Sequence, residues 1–284
     1  MERSLEMVET KLMISSLLLA FAVACAPAEM QMSWQKHVVD GHMTGVTAPS
    51  ADNVADALGV ISGSEYTAPN GAVFTSGCTA SVARAIIEVQ PRMVRLKEVL
   101  GQSLVDMSKH RPESALSNMV ADVLRDEVAE LTGREVDVAI ANFGGIRTDF
   151  PSGDILLDDI VSMLPFINKL SYVALRGKDL RNIFEYLART APQPVSGARL
   201  VIENRKLIKA EVGGKPLNDN KIYGVATLDF LLDGGDGLKI AKNARELVIT
   251  EELPSQMMEK YIRKQTELGK KIEYFEDGRV IWKR

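Results

Sequence analysis

Two glycine-containing segments carry residue types suited to binding a small polar ligand. Residues 141–150 read ANFGGIRTDF and residues 229–238 read DFLLDGGDGL, each following an apolar run. Their glycines permit positive φ angles and let backbone N–H groups approach a ligand closely. Arg147 offers a planar guanidinium suited to phosphate or ribose oxygens, and Asp236 supplies a carboxylate. Gly-Gly turns often only connect strands, so either segment alone is weak evidence for a site.

Two phenylalanines extend this candidate site. Phe166 follows a proline in SMLPFINKL, and Phe230 lies in the second glycine-containing segment. Held on rigid loops, the two rings can sandwich a flat ring, with Asn142, Arg147 and Asp236 around it. The alternative is that both phenylalanines are core residues, which is the more usual role for an isolated phenylalanine. These residues by themselves leave both interpretations open.

The elements that must position these residues can be identified from hydrophobic periodicity after residue 95. The predicted elements are helices over 111–131, 178–190 and about 252–268, strands over 136–142, 169–176 and 221–232, a hairpin over 198–212 that turns at Asn204, and a final hairpin through 276–279. Helices and strands mix without strict βαβ alternation, so the pattern predicts an α+β fold rather than a doubly wound one.

The N-terminus has the pattern of an export signal. Residues 12–29 read LMISSLLLAFAVACAPAE, an apolar stretch shorter than the roughly 20 residues of a membrane span. Its length and small-residue ending are typical of a signal peptide. The ending AVAC resembles a bacterial lipobox, with alanine in place of the usual leucine, which predicts a signal over 1–25 and lipidation of Cys25. The alternative is a secretory signal that contains a cysteine.

Composition and cysteine count exclude several classes of protein. The chain of 284 residues is 46% hydrophobic and 25% charged, so it can bury a sizeable core. Its net charge of −4 argues against nucleic-acid binding, which usually needs a basic face. Lipidation of Cys25 would leave Cys78 as the remaining cysteine, which excludes a disulfide framework, and we expect Cys78 to be small and buried. Residues 26–95 are expected to be a tether and a weakly ordered segment without an assigned role.

Five segments together closely resemble the C-terminal domain of the 5′-nucleotidase family. In order along the chain they are RPESALSNMVAD, ANFGGIR, SMLPFINKLSYVALRGKDL, VSGARL and YGVATLDFLLDGGDG. The resemblance covers roughly residues 95 to 284 and places the domain at 96–284. It implies a four-layer αββα sandwich that captures the nucleoside portion of a nucleotide.

The resemblance also implies a set of substrate-binding residues: Arg111, Asn142, Gly144, Gly145, Arg147, Phe166, Phe230 and Asp236. Within this set Phe166 and Phe230 would stack the base, and Asn142 would contact it. Arg147 and Asp236 would hold the ribose and phosphate side. The family also uses an arginine at the turn that enters the first helix. Arg111 is the candidate for that role, although His110 stands beside it.

The largest departure from the family pattern concerns catalysis. Full-length 5′-nucleotidases carry an N-terminal metallophosphoesterase domain, which binds two metals through His, Asp and Asn motifs. The sequence has three histidines, His37, His42 and His110, and contains no GNHE, GDxxD or GHxH segment. About 95 residues precede the resembling domain, too few for the metal-binding domain. We therefore expect no catalytic residues, metal ligands or cofactor in this chain, and divalent metals only in a partner phosphoesterase.

Three interpretations of function remain. The chain is the specificity half of a split 5′-nucleotidase that works with a separately encoded metallophosphoesterase at the cell envelope, or it is a non-catalytic nucleotide-binding surface lipoprotein. The third interpretation is a structural surface protein with a relic pocket, and the retention of the whole site set argues against it. The first two differ only in the presence of a catalytic partner.

Overall fold

The structure is a computed structural model that describes residues 41–50 and 52–283. The chain divides into two compact units, Met1–Gly45 and Val46–Arg284. All the elements below belong to the second unit. The predicted signal over 1–25 and its Cys25 lie outside the described residues. Among the described residues, no helix combines the length and the apolar character needed to cross a bilayer.

Helices and strands are distributed along the whole second unit. The helices are α1 (Val54–Leu58), α2 (Cys78–Met93), α3 (Ala115–Thr132), α4 (Leu157–Met163), α5 (Gly177–Arg189) and α6 (Pro254–Glu267). The strands are β1 (Val60–Ser62), β2 (Glu65–Thr67), β3 (Val73–Phe74), β4 (Val99–Ser103), β5 (Val138–Ile140), β6 (Gly153–Leu156), β7 (Leu170–Arg176), β8 (Val195–Ser196), β9 (Ala198–Glu203), β10 (Lys206–Val212), β11 (Lys215–Pro216), β12 (Ile222–Leu228), β13 (Glu246–Ile249) and β14 (Val280–Lys283). Short 3₁₀ turns lie at Val94–Lys97, Phe143–Gly145, Asp229–Leu231 and Gly235–Gly237.

A mixed five-stranded sheet forms the centre, in the order β13-β7-β12-β5-β8. Strand β12 pairs parallel with β5 and antiparallel with β7. All three residues of β5 are buried, as expected for a strand that is covered on both faces. The mixed strand directions and the helices around the sheet confirm the α+β prediction.

Two hydrophobic cores lie on opposite faces of this sheet because side chains alternate along each strand. On one face, α3, α4 and α6 pack against small strand residues, which include Ala139, Ala174 and Ala226. On the other face, Val138, Val173 and Val225 meet the apolar side of α5 and the sheet β11-β10-β9-β14. Both faces of the central sheet are therefore buried, and its strand ends are the places where polar loops reach solvent.

Helix α3 begins later than predicted, at Ala115 rather than near residue 111. Ser114 caps it, since its hydroxyl accepts the N–H of Ser117 at 3.1 Å. Pro112 lies before the helix and follows a cis peptide bond. Glu113 is buried, and its carboxylate accepts the backbone N–H groups of residues 277, 278 and 280. Glu113 therefore ties the start of α3 to the C-terminal segment.

The other predicted elements are confirmed in part. Helices α5 and α6 match the predicted ranges, and the hairpin of β9 and β10 turns at Asn204 and Arg205, which both have positive φ. The strand predicted over 221–232 ends at Leu228 and is followed by a 3₁₀ turn. The prediction of a final hairpin through 276–279 is wrong, because the last strand, β14, pairs parallel with β9.

The segment before residue 95 has more structure than the sequence indicated. Strands β1, β2 and β3 form an antiparallel sheet, beside which α2 packs. A small core surrounds Tyr66, whose hydroxyl donates to the carbonyl of Leu58 at 2.9 Å. The expectation of weak order is therefore wrong here. Cys78 begins α2 and is exposed, so the expectation that it is buried is also wrong.

Candidate functional site

The first glycine loop, residues 142–147, leaves the carboxyl end of β5. Asn142 is buried at its start, and its side-chain Nδ2 donates to Oδ2 of Asp236 at 2.9 Å. Asp236 belongs to the second glycine loop, residues 229–237, which follows β12. Strands β5 and β12 are parallel neighbours, so their carboxyl ends meet at one edge of the sheet. The structure thus brings together the two segments that the sequence singled out.

Gly144 and Gly145 make room for the Asn142 side chain. Neither glycine has positive φ, so this loop does not use the left-handed backbone that its glycines permit. A Cβ atom on Gly145 would lie 2.8 Å from Oδ1 of Asn142, and one on Gly144 would lie 3.4 Å from Nδ2. The absence of a side chain at Gly145 is what permits the buried amide to take its position.

The second glycine loop does use left-handed backbone. Asp236 has φ 49°, a conformation that aspartate tolerates better than most residues, and Gly237 has φ 75°. The hydroxyl of Tyr186 donates to the carbonyl of Asp236 at 3.4 Å. A Cβ atom on Gly235 would lie 2.7 Å from the Phe230 ring, so this glycine provides the surface on which that ring packs. The loop therefore holds Phe230 and Asp236 in a fixed relation.

Phe166 and Phe230 are surface residues. Their exposed fractions are 44% and 45%, which excludes the interpretation that they belong to the core. Phe166 follows the end of α4 and the rigid Pro165, and Phe230 lies in the 3₁₀ turn after β12. Both rings are therefore available to contact a flat ligand at the surface.

Arg147 combines a fixed backbone with an open side chain. Its N–H donates to the carbonyl of Met163 at the end of α4, at 2.8 Å. Its guanidinium carbon lies 5.9 Å from the centroid of the Phe166 ring, and Nη1 donates to the carbonyl of Gly144 at 3.3 Å. Arg147 is exposed, so most of its donors face solvent beside Phe166.

Arg111 lies against the outside of the first glycine loop. Its guanidinium carbon lies 4.7 Å from the centroid of the Phe143 ring, and Nε donates to the carbonyl of Pro192 at 3.2 Å. His110 beside it contacts Glu276, with 2.9 Å between Nε2 and Oε1. Arg111 therefore supports the first glycine loop, whereas His110 contacts the C-terminal segment.

A narrow pocket of about 20 Å³, large enough for about one water molecule, opens between the first glycine loop and Phe166. Asn142, Gly145 and Phe166 line it, together with apolar residues of α3 and α6. Oδ1 of Asn142 is buried and accepts no hydrogen bond from the described residues. Asn168 also lines the pocket, and the sequence reasoning missed it. The available signal was a polar residue two positions after Phe166 in an otherwise apolar stretch.

One further cation and one further polar side chain support the first glycine loop. Lys109 donates from Nζ to the carbonyl of Ile146. Gln193 is buried, and its Oε1 accepts the N–H of Phe143 at 2.9 Å. The sequence reasoning missed both. Within residues 41–50 and 52–283, no three His, Cys, Asp or Glu side chains are grouped so that they could hold a metal ion.

Comparison with known proteins identifies the family. The family model of the 5′-nucleotidase C-terminal domain matches residues 95–243, slightly more than half of the chain. The chain belongs to this family. The protein UshA of Yersinia enterocolitica is 30% identical over 198 residues, covering 67% of this chain and 34% of UshA. The cell wall protein Lmo0130 of Listeria monocytogenes is 30% identical over 188 residues, covering 60% of this chain and 24% of that protein.

Solved structures agree with this assignment. The 5′-nucleotidase precursor of Thermus thermophilus superposes with a TM-score of 0.64 at 25% identity, covering 72% of this chain and 43% of that chain. The sulfate thiohydrolase SoxB of the same organism shares the fold, with a TM-score of 0.54 at 20% identity over 72% of this chain and 39% of that chain. The chain spans about a third of the length of the UshA proteins it matches. SoxB shows that the fold alone does not choose the ligand.

Proposed function

We propose that this chain binds the nucleoside part of a nucleotide and is the specificity component of a 5′-nucleotidase-type phosphohydrolase. The observation that carries the proposal is a half-exposed ring beside each of the two glycine loops, which the Asn142–Asp236 hydrogen bond joins. Phe230 belongs to the second glycine loop, and Phe166 lies next to Arg147 of the first, with 5.9 Å between the guanidinium carbon and the ring centroid. Relatives that are named 5′-nucleotidase, from Vibrio vulnificus and Thermus thermophilus, support the choice of ligand class.

Each group in this arrangement has a chemical role that a nucleotide would satisfy. Base stacking on aromatic rings contributes about 1–3 kcal/mol per base. The buried Oδ1 of Asn142 is an acceptor without a partner in the described chain, and a donor from a ligand would remove the cost of leaving it so. Asp236 offers a carboxylate to ribose hydroxyls, and the exposed Arg147 offers charge-assisted hydrogen bonds to phosphate.

The first experiment measures ligand binding by variants of the two site phenylalanines and by a variant of a phenylalanine elsewhere on the surface. Calorimetric titration of the wild type with adenosine and AMP should detect weak binding, and Phe166→Ala and Phe230→Ala should each weaken it by roughly 1–3 kcal/mol. Phe275→Ala is the control, because Phe275 is 64% exposed and lies in the C-terminal segment, outside the two glycine loops and outside the lining of the pocket that includes Phe166. Thermal melts of the three variants should stay close to the wild type. Wild-type protein that binds no purine or pyrimidine ligand at millimolar concentration would contradict the proposal.

Hydrolysis is assigned to a separate metallophosphoesterase that supplies both metals. The purified chain alone should not hydrolyse AMP with Mn²⁺, Mg²⁺ or Zn²⁺, and addition of such a phosphoesterase should produce turnover. Turnover by the homogeneous chain at enzymatic rates, on the order of 1–10³ per second, would refute this assignment. Nucleotide binding without turnover in the presence of any phosphoesterase would favour the non-catalytic surface lipoprotein.

We also propose an extracytoplasmic location with a lipid anchor at Cys25. The apolar stretch over 12–29 and the relationship to a cell wall protein of Listeria support it. A diacylglyceryl group gives stable attachment, whereas a single acyl chain binds a membrane only marginally. The protein expressed in a bacterial host should incorporate palmitate, Cys25→Ser should abolish labelling, and the control Cys78→Ser should retain it. Labelling that persists in Cys25→Ser would rule out this anchor.

A further inference from the structure

The segment Pro192-Gln193-Pro194 runs beside the first glycine loop. It supplies mainly hydrogen-bond acceptors. Strand β8 pairs with β5 through Ser196 and Val195, and the ladder continues where the N–H of Ala141 donates to the carbonyl of Pro194 at 3.0 Å. Proline has no N–H, so two of the three residues in this segment have no backbone donor. The carbonyl of Pro192 accepts instead from Nε of Arg111.

Gln193 completes this set of contacts by accepting from the 3₁₀ turn. The N–H of Phe143 is the first of the turn Phe143–Gly145 and has no acceptor inside it. Oε1 of Gln193 accepts this N–H at 2.9 Å, and both residues are buried. The ring of Phe143 is covered on its other side by Arg111. The bond is thus shielded from water.

Asn142 occupies the position where an asparagine usually caps a turn with its own side chain. It does not do so here. Its Nδ2 donates to Asp236, and the residue lines the pocket. An asparagine cap would accept the second or third N–H of the turn, whereas Gln193, 50 positions after Phe143, accepts the first.

We propose that Gln193 is a positioning residue, which fixes the peptide group between Asn142 and Phe143 by accepting its N–H, and so keeps the Asn142 amide directed at Asp236. Gln193 acts through Asn142 and not on the ligand itself. Its effect on ligand affinity rests on the proposed function of the site, whereas its effect on Asn142 does not.

Loss of the Gln193 acceptor has a defined structural consequence. The buried N–H of Phe143 would lack a partner, which is costly. The peptide group between Asn142 and Phe143 would lose this anchor. Rotation of that peptide group would redirect the Asn142 side chain, so its hydrogen bond to Asp236 would lengthen or break.

The test uses two substitutions of similar length. Gln193→Met removes the acceptor, and Gln193→Glu keeps an oxygen that accepts. Gln102→Met is the control, because Gln102 is exposed on β4 and its side chain bonds Asp154, far in sequence from the glycine loops. We would measure amide hydrogen exchange of Phe143 and the side-chain NH₂ resonances of Asn142 by NMR, and titrate adenosine calorimetrically.

We expect Gln193→Met to speed exchange at Phe143, shift the Asn142 NH₂ resonances and weaken adenosine binding roughly tenfold, as for one lost buried hydrogen bond. Gln193→Glu should restore all three. The proposal is overturned if the Asn142 resonances are unchanged in Gln193→Met, or if Gln193→Glu behaves like the methionine variant. If Gln193→Met does not fold, unchanged affinity in Gln193→Glu supports the proposal and a tenfold loss overturns it. Absence of adenosine binding by the wild type would instead count against the proposed function, while the two NMR readouts still test Gln193.

Discussion

The two glycine loops look alike in sequence and are built by different physical means. None of residues 142–147, all of which the structure describes, has positive φ. The second glycine loop has three such residues, Gly234, Asp236 and Gly237. The first loop is fixed by hydrogen bonds from neighbouring segments, through the Phe143 and Arg147 amides. The second is fixed by its own left-handed backbone and by close packing on Tyr186 and Phe230.

This difference shows that a Gly-Gly pair does not have one structural meaning. In the first loop glycine provides space for a neighbouring polar side chain, and in the second it provides a turn geometry that other residues resist. Alanine substitutions should therefore have opposite signatures. In the second loop they should reduce fold stability, and in the first they should reduce ligand binding.

The largest effect is expected for Gly237→Ala. Gly237 has φ 75°, and an added Cβ would lie 1.9 Å from the hydroxyl oxygen of Tyr186. Left-handed backbone alone costs a residue with a Cβ roughly 1–2 kcal/mol. We expect the free energy of unfolding to fall by about 2 kcal/mol or more in urea titrations.

A double variant separates the two contributions to this loss. Tyr186→Phe removes the clashing oxygen, together with its hydrogen bond to the Asp236 carbonyl, and leaves the φ angle unchanged. Measured against Tyr186→Phe alone, Gly237→Ala should therefore cost less than in the wild type but still lower the stability. No loss in that background would show that the left-handed backbone carries no cost at this position. An unfolding free energy equal to that of the wild type in the single variant would contradict the proposed construction of the loop.

Gly145→Ala should have the complementary effect. Its backbone is in an ordinary conformation, so the fold should lose less than about 1 kcal/mol of stability. The new Cβ would lie 2.8 Å from Oδ1 of Asn142 and displace that side chain, which should weaken nucleoside binding roughly tenfold. Gly144→Ala is the control, since its Cβ would be in ordinary contact with Asn142, 3.4 Å from Nδ2. The Asn142 NH₂ resonances should move in the first variant and stay in place in the control.

The elements that sequence periodicity predicted well are those whose signal is local. Helix α5 has an apolar face contained in its own 13 residues, and the prediction fits it to within one residue. The start of α3 was missed because Glu113 bonds backbone groups 164 to 167 positions away, which no local pattern reveals. Strands β1 to β3 were missed because segments of two or three residues are too short to show alternation.

The site shows the same limit. The glycine, arginine and phenylalanine residues were recognised because their types and order resemble a family pattern. Gln193 was missed because its importance comes from the N–H of Phe143, which lies 50 positions earlier. Exposure of Phe166 and Phe230 also depends on how their loops leave the sheet, so the sequence left the core interpretation open. The residues that support a candidate site from distant parts of the chain are therefore harder to predict than the residues that belong to a family pattern.

Asp236→Asn tests the bond that joins the two loops and should have a smaller effect. The substituted amide keeps an oxygen that can accept from Asn142, so the fold should be unchanged. It loses the carboxylate that would accept from ribose hydroxyls, and a hydrogen bond to a charged group is worth about 1.5–3 kcal/mol only where it is formed and shielded. Because Asp236 is exposed, we expect about 1 kcal/mol for adenosine and no change for free adenine. Equal losses for both ligands would place the carboxylate elsewhere than at the ribose.

The smallest effect is expected for Arg147→Ala with a nucleoside. Arg147 is exposed and its backbone anchor to Met163 does not involve the side chain, so stability and adenosine affinity should change by less than about 0.5 kcal/mol. AMP should lose about 1 kcal/mol more, because an exposed guanidinium bonds phosphate in competition with water. The AMP penalty should shrink as salt rises, since screening acts strongly on exposed charges. Arg92→Ala on the exposed surface of α2 removes the same charge and should spare both ligands. Equal losses for adenosine and AMP that do not respond to salt would mean that Arg147 faces the ribose, and the first glycine loop would then hold the sugar and leave the phosphate to the partner.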